Sequence, residues 1–314
     1  MNKTERLLSK IRDRVGAVRA LHNLFADRVK WAKICASMDV IGDTELAIHA
    51  YHDKGTSEKS SGENYLVVYC ILQALFLQQD ATADLAHALG VTFSLPSELK
   101  NIREIRNISV GHPTDYRRGK DISQSFISRP TVSHLGFQLY QTSSKDGDRF
   151  VGVNIPTLIV KQREEIFKIL ETALGHMENE EIEHRRKFRD IKLASAFRDT
   201  LNYGFEKMGD GIRNYSLRTA IGKWGFDHVI GSIEDFKRLL NERGILKAYD
   251  MSINPILKEL EYPIKELNIF YSDNSIGMSD ESAEVFCFYL EAKINKLREI
   301  ADAIDKEYES DLIG

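Results

Sequence analysis

Cysteine is scarce in this chain: Cys35, Cys70 and Cys287 are the only three in 314 residues, with no Cys-x-x-Cys pair or Cys/His cluster. That excludes a disulfide framework and the common zinc arrangements, and it points to a reduced, cytoplasmic setting with buried thiols. Proline and glycine are few, 6 and 20, which argues against long disordered tracts. Long apolar runs are missing too. The longest, 65–77, is interrupted by Gln73 and is too short to span a bilayer. The opening Met-Asn-Lys-Thr-Glu-Arg leads into an amphipathic pattern instead of an apolar signal core, so a soluble protein without membrane contact is expected. Neither sign of charge dominates: 43 basic residues face 47 acidic ones, a net charge of −4. Any contact with nucleic acid must then be local. No Walker motif is found, Gly209-Asp-Gly211 fails to complete Gly-x-Gly-x-x-Gly, and no serine-hydrolase or cysteine-protease signature is apparent.

What is present reads as helix. Leu8, Ile11, Val15, Val18, Phe25 and Val29 recur at steps of three and four, with His22 on the same stripe. This predicts a helical seam through most of the first 37 residues, with His22 as a core histidine. Further helices are expected at 43–52, 63–79 and 81–89, the second of these opened by a capping box of Ser60 with Glu63. The near-complete apolar girth of 63–79 suits a central helix or a dimer interface. Gly90 ends that region, and Pro96-Ser97-Glu98 starts the next helix. The pattern then changes to alternation around 125–129, 132–140 and 149–155, a small antiparallel hairpin with room for a third strand, inserted at about 122–157. A long helix follows from Pro156. Later helices are expected to break near Gly209-Asp-Gly211, Gly244, Pro263 and 272–275, with a last helix at about 281–308. The fold class is mainly α: a helical bundle over 1–190 carrying the β-hairpin, then a helical accessory region over 191–314.

The stretch that carries chemistry is 104–114, Glu-Ile-Arg-Asn-Ile-Ser-Val-Gly-His-Pro-Thr. Arg106 is a permanent cation, and His112 is the side-chain type that titrates near neutral pH. Along an ideal helix their six-residue separation is a rotation of about 600°, which leaves them about 120° apart. They meet over one phosphate only if the backbone leaves the helix between them. Gly111 is suited to a C-terminal cap, and Pro113 disfavours α conformation at His112. Asn107 can donate and accept hydrogen bonds. Between residues 98 and 120, six basic residues (Lys100, Arg103, Arg106, Arg117, Arg118, Lys120) face three acidic ones (Glu98, Glu104, Asp115). This makes a local basic patch.

Arg106-Asn107-x-x-x-x-His112, near a helix end and preceded by an almost wholly apolar helix, resembles the signature of the HEPN superfamily, Arg followed by four to six residues and His. The resemblance covers about the first 190 residues. It implies a metal-independent endoribonuclease without a cofactor, acting as a homodimer whose paired motifs form one cleft, in phage defence or as a toxin under an antitoxin or other regulator. It assigns proton transfer to His112, phosphate binding to Arg106 and a polar helper role to Asn107. Arg103, Arg117, Arg118 and Lys120 are the expected contacts to RNA. The implied reaction is attack of the 2′-OH on the adjacent phosphorus, giving a cyclic phosphate and a free 5′-OH. The alternative is a non-catalytic helical module that binds a nucleotide or a partner.

Other features rank lower. Ile212-Arg213-Asn214 repeats the triplet, but Thr219 stands where the histidine would be. Glu181-x-x-His184 has half of a di-iron spacing without the second half, and the alternating charges of 178–190 fit a solvated helix face. His49, His52 and His87 have no evident partners.

Overall fold

The computed structural model of the chain describes residues 2–17, 27–53, 60–114, 116–118, 121–143, 147–197, 200–272 and 277–309. It is a mainly α-helical protein with a small antiparallel sheet inserted and a helical C-terminal region. Two compact units are present, one built from the described residues up to 179 and one from 180 onward. The division falls inside a continuous helix, ahead of the boundary at 190 expected from sequence.

In the first unit, α1 (Lys3–Val15) starts at a capping box between Asn2 and Glu5 and buries Leu8, Ile11 and Val15. It ends at Gly16, so the expected seam through residue 37 is not one helix; Val18, His22 and Phe25 lie outside the described residues. Val29 belongs to the next helix and is 80% exposed. That helix, α2 (Arg28–Asp53), absorbs the segment expected at 43–52 and runs through Gly42. Likewise α3 (Ser61–Ala88) joins two expected helices into one. The Ser60–Glu63 capping box is formed at its start. No break occurs at Gln78-Gln79, because both amides are buried and bonded within the bundle. By length and composition α3 is apolar enough to cross a membrane, but half of its apolar window is packed inside this unit. The thiols are less hidden than expected: Cys70 is exposed and Cys35 half-buried.

α4 (Ser97–Arg106) leads through the candidate motif into a four-stranded antiparallel sheet in sequential order. Its strands are β1 (Tyr116–Arg118), β2 (Asp121–Ile127), β3 (Gly136–Ser143) and β4 (Gly147–Asn154). The insertion is therefore larger than the expected hairpin, gaining β1 at its front. Residues 129–131 form a 3₁₀ turn between the first two expected strands, and β3 starts at Gly136 where strand was expected from 132. Ile127, Phe137, Leu139 and Val153 face the helical core, which joins the sheet to the bundle. α5 (Ile155–Phe188) closes the unit, with Ile159, Ile166 and Leu170 inside.

A chain of polar side chains crosses this apolar interior. Glu45, 1% exposed, accepts from Arg163 Nη2 at 2.7 Å, from Gln78 Nε2 at 2.9 Å and from Asn2 Nδ2 at 2.6 Å. Gln162 donates to Gln78 Oε1 at 3.0 Å and to the Leu75 carbonyl at 2.7 Å, and it accepts from Gln79 Nε2 at 2.8 Å. Gln79 Oε1 in turn accepts from Arg103 Nε at 3.0 Å. Each buried group is paired, which is the condition for tolerating it there.

The second unit contains α6 (Thr200–Arg213), α7 (Lys223–Glu242), α8 (Asp250–Ser272) and α9 (Asp280–Glu309). The break expected near Gly209-Asp-Gly211 falls slightly later, where α6 ends at Arg213, and the one expected at Pro263 does not occur, since Pro263 lies inside α8. Glycine is used here for contact. A methyl group on Gly225 of α7 would sit 2.5 Å from the Gly204 carbonyl oxygen of α6, and one on Gly211 would sit 2.6 Å from Gly222 Cα. The break at Gly244 is observed, with φ at 68°, and α8 ends at Ser272, after which 273–276 lie outside the described residues. Arg243, 2% exposed, pairs with Asp305 at 2.7 Å, and Asp305 also accepts the Leu193 and Ala194 amides at 3.0 Å each.

Candidate functional site

The motif sits where α4 stops being an α-helix. Leu99, Ile102, Ile105 and Ile108 bury the inner face and carry the helical path forward. From Asn107 to Gly111 the turn widens into a π-helix, closed by the His112 amide donating to the Asn107 carbonyl at 2.6 Å. His112 itself has left the helix, at φ −138° and ψ 56°. This is the departure that convergence of Arg106 and His112 requires, and Pro113 enforces it by excluding α conformation before it. Gly111 does not serve as a left-handed cap. Its lack of a side chain matters for another reason: a methyl group there would lie 2.7 Å from Arg106 Nη1 and 3.4 Å from its Cζ. The guanidinium thus folds back along the widened turn and lies against the residue next to His112.

Arg106 is held from two sides. Gln73 Oε1 on α3 accepts from Nε at 3.1 Å and from Nη2 at 2.7 Å, while Asn107 Oδ1 accepts from Nη1 at 3.0 Å. A guanidinium has five N–H donors, so three are engaged and two remain for a ligand. Its Cζ stands 4.4 Å from the Phe76 ring centroid, and Arg103 Cζ stands 4.5 Å from the same ring. Such cation–π contacts contribute about 0.5–2 kcal/mol each and keep both cations flat against α3. The His112 ring is exposed and makes no hydrogen bond to any described residue.

Of the expected RNA contacts, Arg103 is committed within the chain: it bonds to Gln79 and pairs with Asp80. Asp80 therefore offsets part of the local basic patch. Arg117 lies on β1, paired across the strands with Ile122, and is exposed. Arg118 is the last residue of β1. Lys120 and Asp115 lie outside the described residues. The sheet is tied to the motif directly, since the Ser125 amide of β2 donates to the Pro113 carbonyl at 2.6 Å.

The α3 residues Gln73, Phe76, Gln79 and Asp80 were not singled out from sequence as members of the site. For Gln73, Gln79 and Asp80 the signal was present as polar side chains at near-helical spacing in an otherwise apolar helix. His49, His87 and the Glu181–His184 pair have structural partners. Glu181 pairs with Arg185, and His184 Nε2 lies 2.9 Å from the Arg243 carbonyl. His49 Nε2 lies 3.0 Å from Glu5, and the His87 ring packs near Phe93. Among the described residues no group of three or more His, Cys, Asp or Glu is arranged to hold a metal ion. No known protein family, curated protein or solved structure matches the chain.

Proposed function

We propose that the chain is a HEPN-like endoribonuclease that cleaves RNA without a metal, through Arg106 and His112. The observation that carries this reading is the position of the Arg106 guanidinium against Gly111, beside an exposed His112, where the helix widens and ends. Arg106 offers its two remaining N–H donors to the non-bridging oxygens of a phosphodiester. That arrangement strengthens as charge builds up in the transition state. His112 moves the proton between the attacking 2′-OH or the leaving 5′-oxygen and water. Asn107 and Gln73 orient the guanidinium. DNA, lacking the 2′-OH, is not cleaved.

Two copies pair through the outer stripe of α3. Leu66, Tyr69 and Leu77 are 66%, 42% and 43% exposed along the face that presents Gln73 to Arg106. Pairing there buries apolar surface and sets two motifs close together. A toxin or defence role under a regulator rests on the family resemblance alone. One observation favours the non-catalytic module: three donors of Arg106 are already bonded within the chain, an arrangement equally suited to holding a nucleotide phosphate.

The test uses labelled single-stranded RNA in EDTA with wild type, Arg106→Ala and His112→Ala. Cleavage by wild type that both substitutions abolish supports the enzyme. Equal turnover by all three removes this site from the reaction. Intact RNA that is bound by wild type and released by Arg106→Ala selects the module. Leu77→Asp is expected to shift light-scattering mass from dimer to monomer.

A further inference from the structure

The outer face of the inserted sheet carries three aromatic rings side by side. Phe126 on β2 pairs across the strands with Tyr140 on β3, and Tyr140 pairs with Phe150 on β4. Their ring centroids are 4.9 Å and 5.1 Å apart. Cross-strand partners share a face, so the rings form one row over the centre of the sheet. The row is open to solvent: Phe126 is 60% exposed and Phe150 68%. Aromatic pairs of this kind are expected in a core; here the opposite face of the same strands, with Ile127, Leu139 and Val153, supplies the core. The outer row adds cross-strand ring contacts to the sheet, yet it leaves two large apolar rings in water, which sheet stability alone does not require.

We propose that this row is a stacking platform for the bases of single-stranded RNA. The inference rests on the RNA reading of the motif and adds to it a second surface that holds the substrate. Five observations favour nucleic acid over a protein partner. Gln124 and Gln138 lie on the same face by strand alternation and register, and they offer amide groups to base edges. Gly152, two residues from Phe150 on that face and opposite Gln138, has no atom within 4 Å of where a side chain would start, which leaves open space beside the ring. Arg117 extends the same face onto β1 through its pairing with Ile122. Residues 114–150 contain six basic and four acidic side chains, against a whole-chain charge of −4. Three rings of about 150–250 Å² each also fall short of the roughly 800 Å² that each partner contributes to a stable protein interface.

The row is pre-ordered. Asp148 accepts from the Tyr140 hydroxyl at 2.7 Å and from Thr142, which fixes the central ring. Base–aromatic stacking is worth about 1–3 kcal/mol per base and tolerates any sequence. The platform would therefore supply affinity for single strands without specifying which bases bind, and a duplex, whose bases are already stacked on each other, would be rejected. The hydrogen bond from Ser125 to Pro113 joins the strand bearing Phe126 to the turn that presents His112, so the platform and the motif belong to one continuous piece of structure.

The experiment is fluorescence anisotropy with a labelled single-stranded DNA of about 12 nucleotides, a length suited to a single-strand groove. Stacking does not need the 2′-OH, so this probe measures the platform without cleavage. Wild type is compared with Phe126→Ala/Phe150→Ala and with Phe126→Tyr/Phe150→Tyr. The alanine pair should weaken binding roughly tenfold or more, the tyrosine pair should retain it, and a duplex of the same sequence should bind far less well to wild type. Equal affinity of wild type and the alanine pair overturns the proposal, as does failure of wild type to bind the probe. An oligomeric state altered by the alanine pair, with probe affinity unchanged, would make the face a protein interface and overturn it too. The nuclease reading is tested separately by RNA cleavage in Arg106→Ala and His112→Ala, so loss of one proposal leaves the other standing. Thermal melts should show both pairs folded, the tyrosine pair matching wild type and the alanine pair lowered only by the loss of two cross-strand ring contacts, about 0.2–1 kcal/mol each.

Discussion

At the scale of single residues, the candidate site depends on an absent side chain. Gly111→Ala places a methyl group against Arg106 Nη1. The obstacle is the far end of a flexible side chain, so the fold should adjust at a cost of under about 1 kcal/mol, a change in melting temperature of no more than about 4 °C. Cleavage should fall by about a hundredfold, the usual loss when one charge-stabilising donor leaves its position. Unchanged cleavage in Gly111→Ala would show that the guanidinium does not act from this position. Gln73→Glu probes the same group from the other side. A carboxylate at this position would pair with Arg106 and compete with phosphate, so KM for RNA should rise while the melting temperature holds or increases. An unaltered KM would argue that Arg106 does not meet the substrate. The six-residue spacing of Arg106 and His112 was legible, and the need for a departure from helix between them could be calculated from it. The π-turn and the seat on Gln73 could not, because both are set by packing of α4 against α3.

At the scale of elements, local signals were readable and non-local ones were not. The Ser60–Glu63 box is formed by residues three apart and needs nothing else, so it appears in the structure as read. Gly42, Gly209 and Gly211 look like breaks in a sequence yet sit inside helices, since tertiary packing outweighs a propensity cost of about 1 kcal/mol per glycine. Strand β1 has three residues and owes its conformation to pairing with β2, which no short window contains. The glycines of α6 and α7 give a direct test. Gly225→Ala drives a methyl into the Gly204 carbonyl, a backbone obstacle, and should cost about 1–3 kcal/mol. Gly231→Ala lies in the same helix with no atom within 4 Å, so it should be neutral or stabilising by up to about 1 kcal/mol. Chemical denaturation of the two variants compares them; equal stability would mean that α6 and α7 do not meet at this crossing.

At the scale of the whole molecule, acid should weaken the fold first through His52 and then through carboxylates such as Glu5. Burial, then the Arg163 and His49 charges, hold the His52 imidazole below its ordinary 6.5. The unfolded chain therefore takes up this proton first. His52 costs nothing above pH 6.5, and stability declines as pH falls from there through the folded value. Glu5 follows at lower pH. Burial alone would raise its carboxyl, but the Asn2 amide and His49 outweigh that and hold it below 4.5. Its contribution is present above pH 4.5 and is lost as pH falls through the folded value. Melting temperatures at about pH 7.5 and about pH 5.5 should differ more for wild type than for His52→Gln; identical differences would exclude His52 as the first step. The bond between the Ser125 amide and the Pro113 carbonyl has a kinetic corollary for oligonucleotide length. If the proposed platform and nuclease site both act, a strand long enough to rest on the rings would be held by the same stretch of backbone that carries His112, so grip away from the scissile bond should be felt in turnover. Extending a minimal RNA toward the sheet should then raise kcat and not merely lower KM, a lever arm written into the polypeptide by one amide.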